Sequence, residues 1–112
     1  HIITDQAISR LTNLKSLQLR CNRAITNISV LANLTDLDLS YNRSITDISM
    51  FSNLTTLNLF PNWKITNQQI IRLTSLTNLM LRANSIITDD GISLLTNLKI
   101  LNLTFVPNIS DE

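Results

Sequence analysis

Few residues of this chain carry side chains suited to covalent or acid–base chemistry, and their spacing gathers none of them into a working set. The single histidine is His1 and the single cysteine is Cys21. A serine or cysteine nucleophile needs a general base within hydrogen-bond reach, and no motif supplies one. Asp36 and Asp38 stand two apart, so an extended segment would turn both carboxylates to one face. Such a pair can serve general acid–base catalysis or hold a hard cation only with a base or further acid beside it. Neither is nearby, and the pair reads as a solvated polar patch. A glycine-rich phosphate loop is excluded, because Gly91 is the only glycine. The chain is expected to be non-catalytic, with no metal, no cofactor and no small-molecule substrate.

The side chains suited to chemistry of another kind, non-covalent recognition, are more numerous. Trp, Tyr and Arg dominate interface hot spots because they bring large contact area at small entropic cost. The candidate partner-binding set is Phe60, Trp63, Met80, Arg82, Arg20, Arg43, Tyr41 and Ile100, with Arg23, Lys64 and Phe105 close by in the repeat. Phe60, Trp63 and Met80 are read first as contact residues, whereas Tyr41 and Phe105 are read first as covers for the top of the core. The formal net charge of +1 gives no concentrated basic face for nucleic acid. No apolar run approaches the roughly 18 residues of a membrane span, so membrane insertion is not expected either. The expected partner is a protein or peptide.

What must position these residues is a phrase repeated five times, Leu-x-x-Leu-x-Leu, starting at Leu14, Leu34, Leu54, Leu76 and Leu98. The starts lie 20, 20, 22 and 22 residues apart, a spacing that marks a solenoid in which each unit has an apolar edge it cannot bury alone. Within each phrase the alternation, as in Leu37-Asp38-Leu39, predicts a short strand with one buried face. Strands one period apart run parallel, because each unit returns the chain to the same side. The residues between the leucines then face outward, and Phe60, Met80 and Ile100 fall on a descending diagonal across consecutive strands.

Eight residues after each first leucine stands Asn22, Asn42, Asn62 or Asn84, and Val106 takes the fifth place. An asparagine at a strand end can satisfy the turn's backbone groups, and stacked copies can bond from coil to coil, giving a structural ladder. With a single glycine, the tight corners are expected to rely on Asn, Asp, Ser and Thr for positive φ or for bonds to their own backbone. Next come Ile25-Thr26-Asn27, Ile45-Thr46-Asp47, Ile65-Thr66-Asn67, Ile87-Thr88-Asp89 and Ile109-Ser110-Asp111, with Ile3-Thr4-Asp5 in the same register. The hydroxyl and the Asx residue suit a helix cap, and Thr66 with Gln69 has capping-box spacing. The 22-residue units have room for about two helical turns and the 20-residue units for tight 3₁₀ turns.

The phrase Asn-x-x-Ile-Thr-Asp followed by Ile-Ser-x-Leu and Asn-Leu-Thr resembles the leucine-rich-repeat superfamily over nearly all of the chain. The resemblance implies an α/β repeat fold, a horseshoe-like solenoid with a parallel concave sheet and short helices or 3₁₀ turns on the convex side. One such domain would span residues 1–112, with a half repeat at 1–13 before the five strand-bearing units, as a piece of a longer array. Two branches are resembled. Ile87-Thr88-Asp89-Asp90-Gly91-Ile92 is similar to repeats of F-box-type adaptors, which present substrates to ubiquitin ligases. Ile45-Thr46-Asp47-Ile48-Ser49 with Asn53-Leu54-Thr55 is similar to bacterial internalin-like surface proteins, which bind host receptors. The chain lacks the regular ladder cysteine of many adaptor repeats and carries two extra residues between Asn and Ile compared with internalins.

The resemblance implies a protein–protein interaction module that takes its ligand on the concave face and adjacent turns. A structural spacer or self-assembling array is the other reading, since the terminal units lack polar capping sequences. Cys21, read as a free thiol tucked into a strand end, leaves no disulfide framework, and the N-terminus shows no signal-peptide pattern, which together point toward the cytoplasm while leaving the compartment open. Six Asn-x-Ser/Thr sequons, at Asn27, Asn33, Asn42, Asn53, Asn102 and Asn108, are read as a by-product of a repeat rich in Asn and Thr.

Overall fold

The computed structural model describes residues 3–109, so His1, Ser110 and Asp111 lie outside the described residues. In chain order the elements are α1 (Asp5–Ile8), β1 (Ser16–Gln18), β2 (Asp36–Asp38), β3 (Thr56–Asn58), α2 (Asn67–Ile70), β4 (Asn78–Met80), α3 (Asp89–Ile92) and β5 (Ile100–Asn102). The strands form one parallel sheet in the order β1-β2-β3-β4-β5. Its register follows the leucine phrase: Leu17 pairs with Leu37, Leu37 with Leu57, Leu57 with Leu79 and Leu79 with Leu101. The two residues gained in the longer units are absorbed outside the sheet and never disturb this alignment.

Inside the coils the leucines form a continuous apolar column. Leu34, Leu37, Leu39, Leu54, Leu57, Leu59, Leu76, Leu79 and Leu81 are all buried, and Ile25, Ile45, Ile65 and Ile87 are buried behind them. Ile28, Leu31, Ile48, Phe51, Ile70, Leu73 and Leu95 close the far side. Burying one such side chain stabilises by about 1.5–3 kcal/mol, and here most of that burial is against the neighbouring coil. Leu17 and Leu101, on the two edge strands, are only partly covered.

At the strand ends the asparagines bond from coil to coil. Asn42 donates through Nδ2 to the carbonyls of Leu19 (2.9 Å) and Asn22 (3.0 Å), and its Oδ1 accepts from the Ser44 and Ile45 N–H groups. Asn62 repeats the pattern one coil on, to Leu39 and Asn42 and from Lys64 and Ile65. Asn84 donates to Asn62 O alone, at 3.2 Å, and accepts from Ile86 and Ile87. Asn22, in the first strand-bearing coil, accepts from the Ile25 N–H. The three inner copies are buried with their polar atoms satisfied, as a buried amide requires.

The residue just before each ladder position makes the corner, and here the expectation about positive φ is corrected. The left-handed residues are Cys21, Tyr41, Ala83 and Phe105, with φ of 59°, 56°, 58° and 59°, none of them Asn, Asp, Ser or Thr. The conformation costs an L-residue roughly 1–2 kcal/mol, and it is held because the corner N–H bonds to the next coil: Cys21 to Ser40 O, Tyr41 to Pro61 O, Ala83 to Thr104 O. The third copy is Pro61, whose ring fixes φ near −65° and removes the donor. Cys21 is exposed rather than tucked in.

Helix caps depart from expectation in the same way. Each helix is four residues long, a single turn, and Thr4, Thr66 and Thr88 make no side-chain cap bond. Gln69 forms no capping box, because its Oε1 accepts from the Ile48 N–H of the preceding coil at 2.9 Å. Which coils become helical depends on a serine. In the 20-residue units Asn27 accepts from the Ser29 N–H and Oγ–H, and Asp47 does the same with Ser49, an Asx turn that holds the backbone out of a helix. Asp5, Asn67 and Asp89 have no serine two residues on, and their units are the helical ones. Freed from its own turn, Asp5 reaches Thr26 in the next coil (N–H 2.7 Å, Oγ–H 2.6 Å) and Asn67 reaches Thr88.

Candidate recognition surface

Along the C-terminal ends of the strands, cations and rings stand side by side. The Arg20 guanidinium lies 5.0 Å from the centre of the Tyr41 ring, and Tyr41 meets Phe60 edge-on with centroids 5.9 Å apart at 69°. The Arg82 guanidinium lies 5.0 Å from the Phe60 ring and 5.9 Å from Phe105. A second pair stands beside this row, Arg43 over Trp63 at 4.9 Å. The solenoid aligns equivalent positions of successive coils, so Arg43 meets Trp63 and Phe60 meets Arg82 across one period. Arg20 meets Tyr41 with a one-residue offset at the corner.

These side chains are outside the core. Tyr41 is 38% exposed, Trp63 42% and Phe105 75%, so Tyr41 and Phe105 do not cover the top of the core as expected. That task falls to the buried asparagines and to Ser40, whose hydroxyl and N–H both bond Asp38 Oδ1 (2.6 and 2.9 Å). Asp38 is thereby committed to a turn rather than paired with Asp36. Each exposed cation–π contact stabilises by about 0.5–1 kcal/mol, less than one buried leucine. The row is therefore an arranged surface more than a source of stability. A guanidinium held over a ring can still offer N–H groups to planar anions, and none of these arginines is in an ion pair among the described residues.

Met80 and Ile100 sit apart from this row, on the sheet face. Met80 pairs in register with Asn58 and Asn102, and Ile100 with Asn78, which puts the two on diagonal positions of adjoining strands. Ile100 is 55% exposed and Met80 half-buried. Phe60 lies on the same diagonal, but its ring contacts are with Tyr41 and Arg82. Phe105, left outside the candidate set, is joined to it through Arg82. The signal for it was its equivalence to Tyr41, seven residues after the corresponding leucine of the phrase.

Two hollows flank the Arg43–Trp63 pair. One, of about 230 Å³, is lined by Cys21, Arg23, Tyr41, Arg43 and Trp63. The other, of about 380 Å³, is lined by Arg43, Trp63 and Lys64. Neither wall includes a carboxylate. No group of three or more His, Cys, Asp or Glu residues suited to a metal ion occurs among the described residues, and no helix there is long and apolar enough to cross a membrane.

Comparison with known proteins places this surface on a recognised scaffold. A family model described as Leucine Rich repeat matches residues 10–32 and 30–51, the first two strand-bearing units. No curated protein sequence matches the chain. Among solved structures, the chain is similar to an internalin (inlF) from Listeria monocytogenes, with a TM-score of 0.66 and 26% identity over 100% of this chain and 34% of that one. It is also similar to internalin C2 (inlC2) from the same organism, with a TM-score of 0.64 and 25% identity over 98% of this chain and 60% of that one. The chain thus spans about a third of the first neighbour and three fifths of the second. With its five-stranded parallel sheet, its recurring leucine phrase and two units matched by the repeat model, the chain has the fold of a leucine-rich-repeat solenoid.

Proposed function

We propose that this chain is a non-catalytic recognition segment that binds a protein or peptide across the sheet face and the turns at its C-terminal edge. The supporting observation is the row Arg20, Tyr41, Phe60 and Arg82, rings and guanidinia held side by side outside a core that is filled without them. Side chains already fixed by stacking lose less freedom on binding, so more of their contact energy reaches the affinity. Five strands at about 4.8 Å give a face some 24 Å long, enough for the roughly 800 Å² per partner of a standard interface. Of the two branches the motifs resemble, the neighbouring internalin structures support the internalin-like one. On that reading the segment belongs to a surface protein that binds a host receptor, and the substrate-adaptor reading has no such support.

The test is selection of displayed random peptides on the wild-type chain, followed by calorimetric titration of the winners against Phe60→Ala, Trp63→Ala, Met80→Ala and Arg82→Ala. Hot-spot truncation costs about 2 kcal/mol or more, a loss of about thirtyfold, and at least two of the four are expected to show it. Affinities unchanged across all four would remove the recognition face.

One observation favours self-assembly as a second reading: β1 and β5 each present an unpaired edge among the described residues, with Leu17 and Leu101 only partly covered. An ordered oligomer in sedimentation, abolished by Ser16→Lys together with Ile100→Lys, would support it. A monomer at all concentrations would eliminate it.

A further inference from the structure

Resting on the recognition reading above, we infer that the hollow between Arg23, Arg43, Tyr41 and Trp63 selects an acidic peptide segment, with aspartate or glutamate carboxylates on the guanidinium edges and the rings covering the peptide's apolar part. Three features of this place carry the inference. Its walls hold two arginines, two aromatic rings and Cys21, and no acid of the chain. The Arg43 guanidinium lies 4.9 Å from the centre of the Trp63 ring, a contact that restrains the side chain and so favours the bidentate carboxylate recognition a guanidinium fork offers. Arg23 and Arg43 hold the same position in successive coils, each directly after its ladder asparagine. The solenoid therefore sets their backbones about one strand spacing apart, roughly 4.8 Å.

Size narrows the class of occupant. About 230 Å³ is less than the roughly 300–1,000 Å³ of a small-molecule pocket, so the hollow takes one or two side chains of a longer ligand rather than a whole metabolite. The ligand continues past Trp63 into the second hollow, where Lys64 supplies the next cation. The hollow opposite the sheet, lined by Thr26, Asn27, Ser29, Thr46 and Asp47 among others, carries an acid and no base.

Trp63 is the only tryptophan, so its fluorescence reports the site directly. Three eight-residue Gly/Ser peptides are titrated into the chain, one with alternating Glu, one with alternating Gln and one with alternating Lys, and sodium glutamate and sulfate serve as simple-anion controls. The Glu peptide is expected to give a saturable change that weakens with added salt, and the other probes none. Charge-assisted hydrogen bonds to arginine are the strong class, so Arg23→Gln, which leaves the Arg43–Trp63 stack in place, is expected to weaken binding about tenfold. Arg43→Gln is expected to do the same or more. No saturation by about 1 mM Glu peptide, where binding free energy falls to about 4 kcal/mol, would overturn the inference. So would equal responses to Glu and Gln peptides, sulfate acting as well as the peptide, or an unchanged affinity in Arg23→Gln. If selection instead yields neutral peptides that lose affinity on Phe60→Ala and Trp63→Ala, acidic selectivity fails and the recognition reading stands. If no selected peptide depends on that face, both fail.

Discussion

Asn67 and Thr88 clasp one another across two coils: the Asn67 amide donates from Nδ2 to Thr88 Oγ1 at 2.7 Å and accepts at Oδ1 from the Thr88 N–H at 3.0 Å. The pair joins α2 to α3 on the side away from the sheet. A methyl group at Gly91 would run into the Asn67 side chain, so the lone glycine is required for close approach rather than for a left-handed turn. Gly91→Ala is expected to destabilise by about 1–3 kcal/mol, the usual cost of overpacking and of lost buried hydrogen bonds. Asn67→Ala is expected to cost about as much, and the double variant less than the sum, since both break the same clasp. Urea denaturation of the four chains measures the coupling, and simple additivity would contradict the assignment.

The ladder asparagines should differ in weight according to their partners. Asn62→Ala takes the partner of the Asn42 carbonyl and of the Lys64 and Ile65 N–H groups, and one of the two donors to the Leu39 carbonyl, at about 1–3 kcal/mol for each group that water cannot reach. A total above about 3 kcal/mol is expected. Asn22, half-buried and bonded to Ile25, should cost about 1 kcal/mol. Denaturation midpoints that rank the two in the other order would refute the coil-to-coil role.

Asp5 gives the fold an acid-sensitive end. Its hydrogen bonds from the Thr26 hydroxyl, then from the Thr26 and Asn27 N–H groups, favour the carboxylate and hold its pKa below the ordinary aspartate value of 3.8. Because the folded pKa is depressed, the contribution is complete above the unfolded value, about 3.9, and is lost as pH falls through the lower folded value. The Asp5 carboxyl should titrate below an unfolded-peptide reference by NMR, and Asp5→Asn should flatten the acid loss of order around Thr26. A midpoint at or above the reference would refute it.

The left-handed corners invite a substitution test at Ala83, which is exposed and carries the smallest side chain of the four. Ala83→Gly removes a strain of roughly 1–2 kcal/mol and adds unfolded-chain entropy of about 0.4–1 kcal/mol, so stability should hold or rise slightly. Ala83→Val should lose at least about 1 kcal/mol, since a β-branched residue tolerates this conformation worst. Thermal melts with the glycine variant clearly below wild type would contradict the corner geometry.

Sequence alone carried the sheet almost completely. The leucine phrase set each strand and the register, because burial of one face leaves no freedom to slip by one residue. Parts that depend on the adjoining coil were less legible. Thr66 and Gln69 satisfy a capping rule written for an isolated helix, yet Gln69 turns back to Ile48, a partner 21 positions away that a single unit does not reveal. The serine after Asn27 and Asp47 was the readable sign that those turns would not become helices. At the surface, residue types singled out Arg20, Tyr41, Phe60, Arg82, Arg43 and Trp63, but their stacking into pairs follows from the alignment of coils and from corner offsets. Positive φ at Tyr41 ran against residue preference altogether, because its N–H bond to Pro61 O in the next coil outweighs local propensity there.

Pro61 leaves a mark on the array as a whole. Where Cys21, Tyr41 and Ala83 each tie their corner to the following coil, Pro61 has no N–H to give, and the next ladder residue, Asn84, reaches back with one bond where Asn42 and Asn62 use two. The same coil begins the change of period from 20 to 22 residues. In a linear stack, cooperativity passes only through nearest-neighbour seams. The seam between the third and fourth leucine phrases is short of two rivets, so a pulling force or a denaturant meets this solenoid as two blocks that share a sheet.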